Sequence, residues 1–249
     1  MLTRVSVEYY ARMERGDLSG VSPQVLDSLA QALKLDEAES EHLHDLARAA
    51  APRSPRGRRS PKEHTIRPSL DRLLNAITGA PAWIRDRRTT IVATNPLGRA
   101  LYAPIIEDER NQANTARFIF FNSEADVFFP DWERVADEVV GTLRSYAGQS
   151  PRDTALTGLI GELVTRSDEF RTRWGRHDVR FHRVGIKRIH HPLVGDLNLE
   201  YEALDLPADP DWFLFAHTAD PDSPTAERLQ LLGNLTAAYD AGSDESADK

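Results

Sequence analysis

Near Phe181 the hydrophobic spacing of the chain changes from 3.6 residues to 2, and this switch constrains the fold more than any other feature. Phe181 to His190 alternates in large part, Leu197, Leu199 and Tyr201 alternate cleanly, and Trp212 to His217 is an apolar run. Three strands are expected, the first two joined by a hairpin at residues 192–196. Two earlier strands, Ala82 to Arg85 and Thr89 to Asn95, flank a charged turn at Asp86, Arg87 and Arg88, and Pro96 then opens a helix through Leu101. Between the two strand groups, Trp132, Val135, Ala136, Val139, Val140 and Leu143 mark a long amphipathic helix, with further helices near 152–165 and 168–175. The run Phe118 to Phe121 is too short for its period to assign. Leu70, Leu73, Leu74 and Ile77 predict a helix ahead of the first strand, stopped by Gly79 and Pro81. Ala226, Leu229, Leu232 and Leu235 predict another, from about Pro224, after the last strand. Two strands before the central helices and three after them describe a five-stranded antiparallel sheet with helices packed on one face, an α+β fold.

The function classes narrow with the totals. No apolar run approaches the ~18 residues of a membrane span, and the N-terminus lacks the basic and apolar blocks of a signal peptide. Without cysteine there are no disulfides, thiolate metal sites or thiol nucleophiles, and the cytoplasm is the expected compartment. The net charge of -8 argues against wholesale nucleic-acid affinity. It is unevenly spread, however. Residues 1–67 hold eleven basic against ten acidic side chains, and the remaining 182 hold 20 against 29, so any DNA contact belongs to the front.

At the front, Val5 to Gly16 reads as a short, well-punctuated helix. Ser6 suits the N-cap, Glu8 the first turn and Gly16 the left-handed position after the end. Tyr10 and Met13 mark one apolar face, leaving Val7, Glu8, Ala11 and Arg12 together on the opposite one. A free face of small, polar and basic side chains suits a major groove. Val7, Glu8 and Ala11 are placed to meet base edges, and Ser6, Arg12 and Arg15 to position the helix on phosphates. Ser22 and Pro23 then open a helix with Leu26, Leu29, Ala30 and Leu33 inward. Asp36 and Glu39 form a capping-box-like pair ahead of a third helix, with Leu43, Leu46, Ala47 and Ala50 inward. Residues 51–67, with three prolines and a cluster of arginines, read as a basic linker: either a soluble tether or a source of added phosphate contacts.

Three short helices in about 50 residues, the first offered to solvent, resemble the back half of a helix-turn-helix domain of the XRE type, on Val5 to Gly16 and Leu18 to Pro23. Members precede the recognition helix with two more helices. Here only Met1 to Arg4 stand in their place, so residues 1–50 are read as a partial DNA-binding domain truncated at its N-terminus, through a start-site error or a real loss. The strand order of residues 68–240 resembles a PAS-like module, and more closely the ligand-binding domain of MmyB-like transcription regulators. That likeness is carried by Trp83, Thr94-Asn95-Pro96-Leu97, Pro130-Asp131-Trp132, Ser167-Asp168-Glu169-Phe170, Trp174 to Val179 and Lys187 to Gly195. Thr94 stands where members usually carry tryptophan. The resemblance implies a long apolar slot for a fatty-acid-like ligand with a partner for its carboxylate. Residues 241–249 are expected to be a disordered tail.

The candidate ligand contacts are Trp83, Asn95, Phe120, Trp132, Trp174 and Tyr201, with Arg176, His177 and Lys187 as carboxylate partners. No catalytic, metal or cofactor constellation is found. His190 and His191 are adjacent on a strand and point to opposite faces. His177 and Asp178 form an acid/base pair on paper, but no third group supports them, and an anchor between helix and strand uses the same residues. The chain is therefore read as a non-enzymatic, DNA-binding transcription regulator modulated by an apolar small molecule. As one helix reads few base pairs, it is expected to act as a homodimer. The alternative is a ligand-binding or dimerisation module that has lost specific DNA binding.

Overall fold

The computed structural model describes residues 21–36, 39–40, 43–44, 46–47, 66–176 and 184–244, with side chains to residue 236. The expected recognition helix, most of the linker, and His177 to Phe181 lie outside them. Helix α1 (Pro23–Leu33) begins where proline follows Ser22, and the Ser22 carbonyl accepts from the amides of Val25 and Leu26. Leu26, Leu29 and Ala30 are buried, whereas Leu33, expected inward, is half exposed. The capping box is formed in both directions. The Glu39 amide donates to Asp36 Oδ1 at 2.8 Å, and the Asp36 amide donates to Glu39 Oε2 at 2.9 Å.

The second unit is built on five strands: β1 (Ala82–Asp86), β2 (Ile91–Thr94), β3 (Val184–His191), β4 (Gly195–Asp205) and β5 (Trp212–Thr218). They pair antiparallel in the order β2-β1-β5-β4-β3, so the last strand enters the middle of the sheet beside the first. Alternation then fixes what each face carries. Trp83 and Arg85 of β1, Lys187 and Ile189 of β3, Leu199 and Tyr201 of β4, and Phe215 and His217 of β5 share the inner face.

That face is covered by α3 (Pro96–Leu101), α4 (Ala103–Ile106), α5 (Thr115–Phe121), α6 (Ala125–Phe128), α7 (Trp132–Gln149), α8 (Thr154–Arg166) and α9 (Asp168–Gly175), whose apolar residues join those of the strands in one core. Side-chain caps set several of the starts. Asn114 Oδ1 accepts from the amide of Arg117, Asp153 Oδ1 from Ala155 and Leu156, and Ser167 Oγ from Phe170. The run Phe118 to Phe121 is thereby a helix. Helix α10 (Pro224–Asp244) adds Leu229 and Leu232 to the core and continues past residue 240, where the tail was expected.

Helices do not lie on one face alone. In α2 (Pro68–Ala76), Leu70 and Leu74 pack with Ala82, Ile84, Trp212 and Leu214, the residues alternating with the inner set. The helix is pinned there by Arg67, whose Nε donates to Asp209 at 3.0 Å. The alternating 82–84 and 212–214 segments are apolar on both faces, so both must be covered. Among the described residues no helix is long and apolar enough to cross a membrane.

Candidate ligand-binding site

Between the inner face of the sheet and α7 lies a cavity of about 70 Å³. Val135, Glu138, Val139 and Thr142 face it from α7 at the spacing that places residues on one side of a helix. Trp83, Arg85, Lys187, Tyr201, Phe215 and His217 face it from the four strands β1, β3, β4 and β5, with Tyr102, Thr115 and Phe129 closing the sides. Trp83 stacks on Phe215 at 5.5 Å and leans on Tyr102 at 4.5 Å, a rigid aromatic wall. Gly185, opposite Tyr201 on the neighbouring strand, leaves room for that ring: a Cβ there would stand 3.0 Å from Tyr201 Cε1.

The polar groups of the cavity are unevenly matched. Lys187 Nζ donates to Glu138 Oε2 at 2.7 Å, and Arg134 pairs with Glu138 Oε1, so two cations share one carboxylate. Burial lowers the Lys187 ammonium below its ordinary value, partly offset by Glu138. Arg85 lies over the Phe215 ring, with its guanidinium carbon 4.3 Å from the centroid. Its Nε is enclosed without a hydrogen-bond partner among the described residues. Burial lowers its pKa too, yet a guanidinium keeps its proton at neutral pH. The neighbouring Asp86 carboxylate is engaged elsewhere, accepting from the amides of Arg88 and Thr90 in the hairpin turn.

His217 has a fixed tautomer. Its Nδ1 lies 3.3 Å from the Glu200 carbonyl, which only accepts, so Nδ1 donates and Nε2 accepts from the Tyr102 hydroxyl at 3.0 Å. Burial pushes its pKa down to about 3 and pushes the Tyr201 hydroxyl up to about 12. Uncharged rings and hydroxyls thus surround the cations.

A family model for the MmyB-like transcription regulator ligand binding domain matches residues 66–232. The chain belongs to this family. No curated protein sequence matches it.

Within the MmyB-like domain the expected ligand contacts separate into different places. Trp83 and Tyr201 are on the cavity wall, as is Lys187. Asn95 is not. It is 1% exposed and ties three segments together, Oδ1 accepting from the amides of Ala82 and Gly98, and Nδ2 donating to the carbonyls of Ile77 and Ala80. Phe120, Trp132 and Trp174 belong to a second aromatic group at α9. There Phe170 meets Phe120 at 5.0 Å and Trp174 at 5.5 Å, and Trp132 meets Phe120 at 6.2 Å. Arg173 lies over Trp132 and pairs with Glu133 and Asp137, closing the group with charge. Arg176 is exposed at the end of α9, outside the set that lines the cavity.

Arg85, Glu138, Tyr102 and His217 were not among the sequence candidates. For Arg85 a signal existed: two residues after Trp83 on one strand, it must share the Trp83 face.

The buried histidines also give the MmyB-like domain a pH-dependent stability. His217 and His191 both have pKa values lowered by burial and are neutral in the native state. The unfolded chain binds protons below about pH 6.5 while the native chain does not, so stability is complete above that value and is lost as pH falls towards 3. The loss from His217 is expected to approach ~1.4 kcal/mol per pH unit, or about 2 kcal/mol between pH 6.5 and 5. Urea unfolding at the two pH values measures it. The drop should shrink in His217→Gln, and equal drops in parent and variant would contradict the assignment.

Proposed function

We propose that the chain is a DNA-binding transcription regulator whose activity is set by an apolar, fatty-acid-like small molecule held in the cavity between the sheet and α7. The observation that carries this reading is a compact aromatic and aliphatic cavity with a few convergent polar groups, the make-up of a ligand site, in a domain of a regulator ligand-binding family. At about 70 Å³ it is smaller than the ~300–1,000 Å³ of sites for drug-sized ligands, so a long chain enters only as α7 and the sheet move apart. Such a movement gives the ligand different affinities for two states, which is what a regulatory equilibrium requires. DNA contact is assigned to Ser6, Val7, Glu8, Ala11, Arg12 and Arg15, acting in a homodimer on paired half-sites.

The test uses the full chain and a pool of random-sequence duplexes, selected in salt that suppresses nonspecific contacts. Enrichment of a two-fold symmetric motif, with affinity changed by added medium-chain fatty acid, supports the reading. No enriched motif removes the DNA-binding assignment, and an enriched motif indifferent to the acid removes the ligand control.

A further inference from the structure

We infer that Arg85 is the receptor for the acid group of a monoanionic effector, the guanidinium taking a carboxylate while the apolar part of the ligand lies towards Phe129, Val135 and Val139. The inference rests on the cavity being the effector site. Three observations converge on it. Glu138 already serves Lys187 and Arg134, and Asp86, though it attracts Arg85 through space, spends its hydrogen bonds on the hairpin turn, so no neighbouring carboxylate hydrogen-bonds Arg85. The Arg85 Nε is enclosed with no hydrogen-bond partner among the described residues, although the residue keeps some accessible surface on the cavity wall. And the Tyr102 hydroxyl donates to His217, so it does not compete for the ligand's acid as a donor.

A buried cation without a hydrogen-bonded counter-ion is costly, and the face of Phe215 and the through-space pull of Asp86 compensate only part of that cost. An anion that brings its own negative charge removes the deficit. The planar fork of a guanidinium matches a carboxylate with two parallel hydrogen bonds, which an alcohol or amine cannot supply. One guanidinium without a hydrogen-bonded carboxylate, facing the aromatic and aliphatic part of a small cavity, suits a single acid group at the end of a hydrocarbon.

The test is calorimetric titration of the full chain with hexanoate, hexan-1-ol and hexylamine, three ligands of one chain length and three head groups. Hexanoate is expected to bind about tenfold or more tighter than hexan-1-ol, as a charge-assisted pair implies, and hexylamine weakest. Arg85→Met should erase the preference for the acid over the alcohol, and Arg85→Lys should restore part of it. Without ligand, Arg85→Met should melt several degrees above the parent, because the unpaired charge is gone; this also shows that the variant is folded. Equal affinity of the parent for acid and alcohol overturns the Arg85 assignment and leaves the sensor reading standing. So does an undiminished acid preference in Arg85→Met. Binding of none of the three overturns both.

Discussion

Asn95→Ala is expected to cost about 4 kcal/mol of stability, at roughly 1 kcal/mol for each of four hydrogen bonds. The side chain is enclosed where the end of α2, the start of β1 and the N-terminus of α3 meet. It satisfies two amides, Ala82 at 2.9 Å and Gly98 at 2.7 Å, and two carbonyls, Ile77 at 2.5 Å and Ala80 at 2.7 Å. The same junction is closed by Gly98, where a Cβ would stand 2.3 Å from the Ala82 carbonyl oxygen. Backbone that tight cannot close over the space left by alanine, so all four groups lose their partner at once. Urea unfolding measures the loss, and a change below ~1 kcal/mol would mean that water replaces the amide. Ligand affinity of the folded variant should be unchanged, because Asn95 is not on the cavity wall. A lower affinity with little loss of stability would return Asn95 to the ligand site.

That contrast shows where reading from sequence reaches. The strands were legible because alternation at Leu197, Leu199 and Tyr201 reports burial of one face directly, and the structure pairs them as β4 against β3 and β5. Helix α7 was legible for the corresponding reason at period 3.6. The run Phe118 to Phe121 was not, since four apolar residues fit either period, and the deciding group is the Asn114 cap four residues earlier. Helix α2 was found, but the expectation of helices on one face alone left no place for it on the other. Its stripe says that Leu70 and Leu74 are buried, and only the sheet says against which face.

The cavity was less legible than the fold because a core and a ligand site draw on the same residues. Trp83, Trp132 and Trp174 look alike in sequence, yet Trp83 borders open space while Trp132 and Trp174 close around Phe120 and Phe170. Arg85 was read as the last residue of the first strand, ahead of the charged turn at Asp86, Arg87 and Arg88, and the face it takes was not followed. Strand β1 continues through it, and its position two residues from Trp83 turns it inward.

The cations of the cavity lead to the second large effect. Glu138→Gln is expected to cost about 3 kcal/mol, the lower end of what breaking a buried ion pair does. Lys187 and Glu138 are nearly enclosed, with side chains 14% and 15% exposed. Without Glu138, the Lys187 ammonium remains beside the unpaired Arg85 with no carboxylate of its own. Lys187→Met should cost less, because Glu138 keeps Arg134 as a partner. The double variant should lose less than the sum of the two single losses, since removing both groups leaves neither stranded. Thermal and urea unfolding of the four proteins give the coupling. If the single losses simply add, the pair is screened by water rather than coupled across a dry cavity. A short carboxylate such as hexanoate supplies the charge that Glu138→Gln removes. It should therefore raise the melting temperature of that variant by more than it raises that of the parent, while hexan-1-ol should not separate the two.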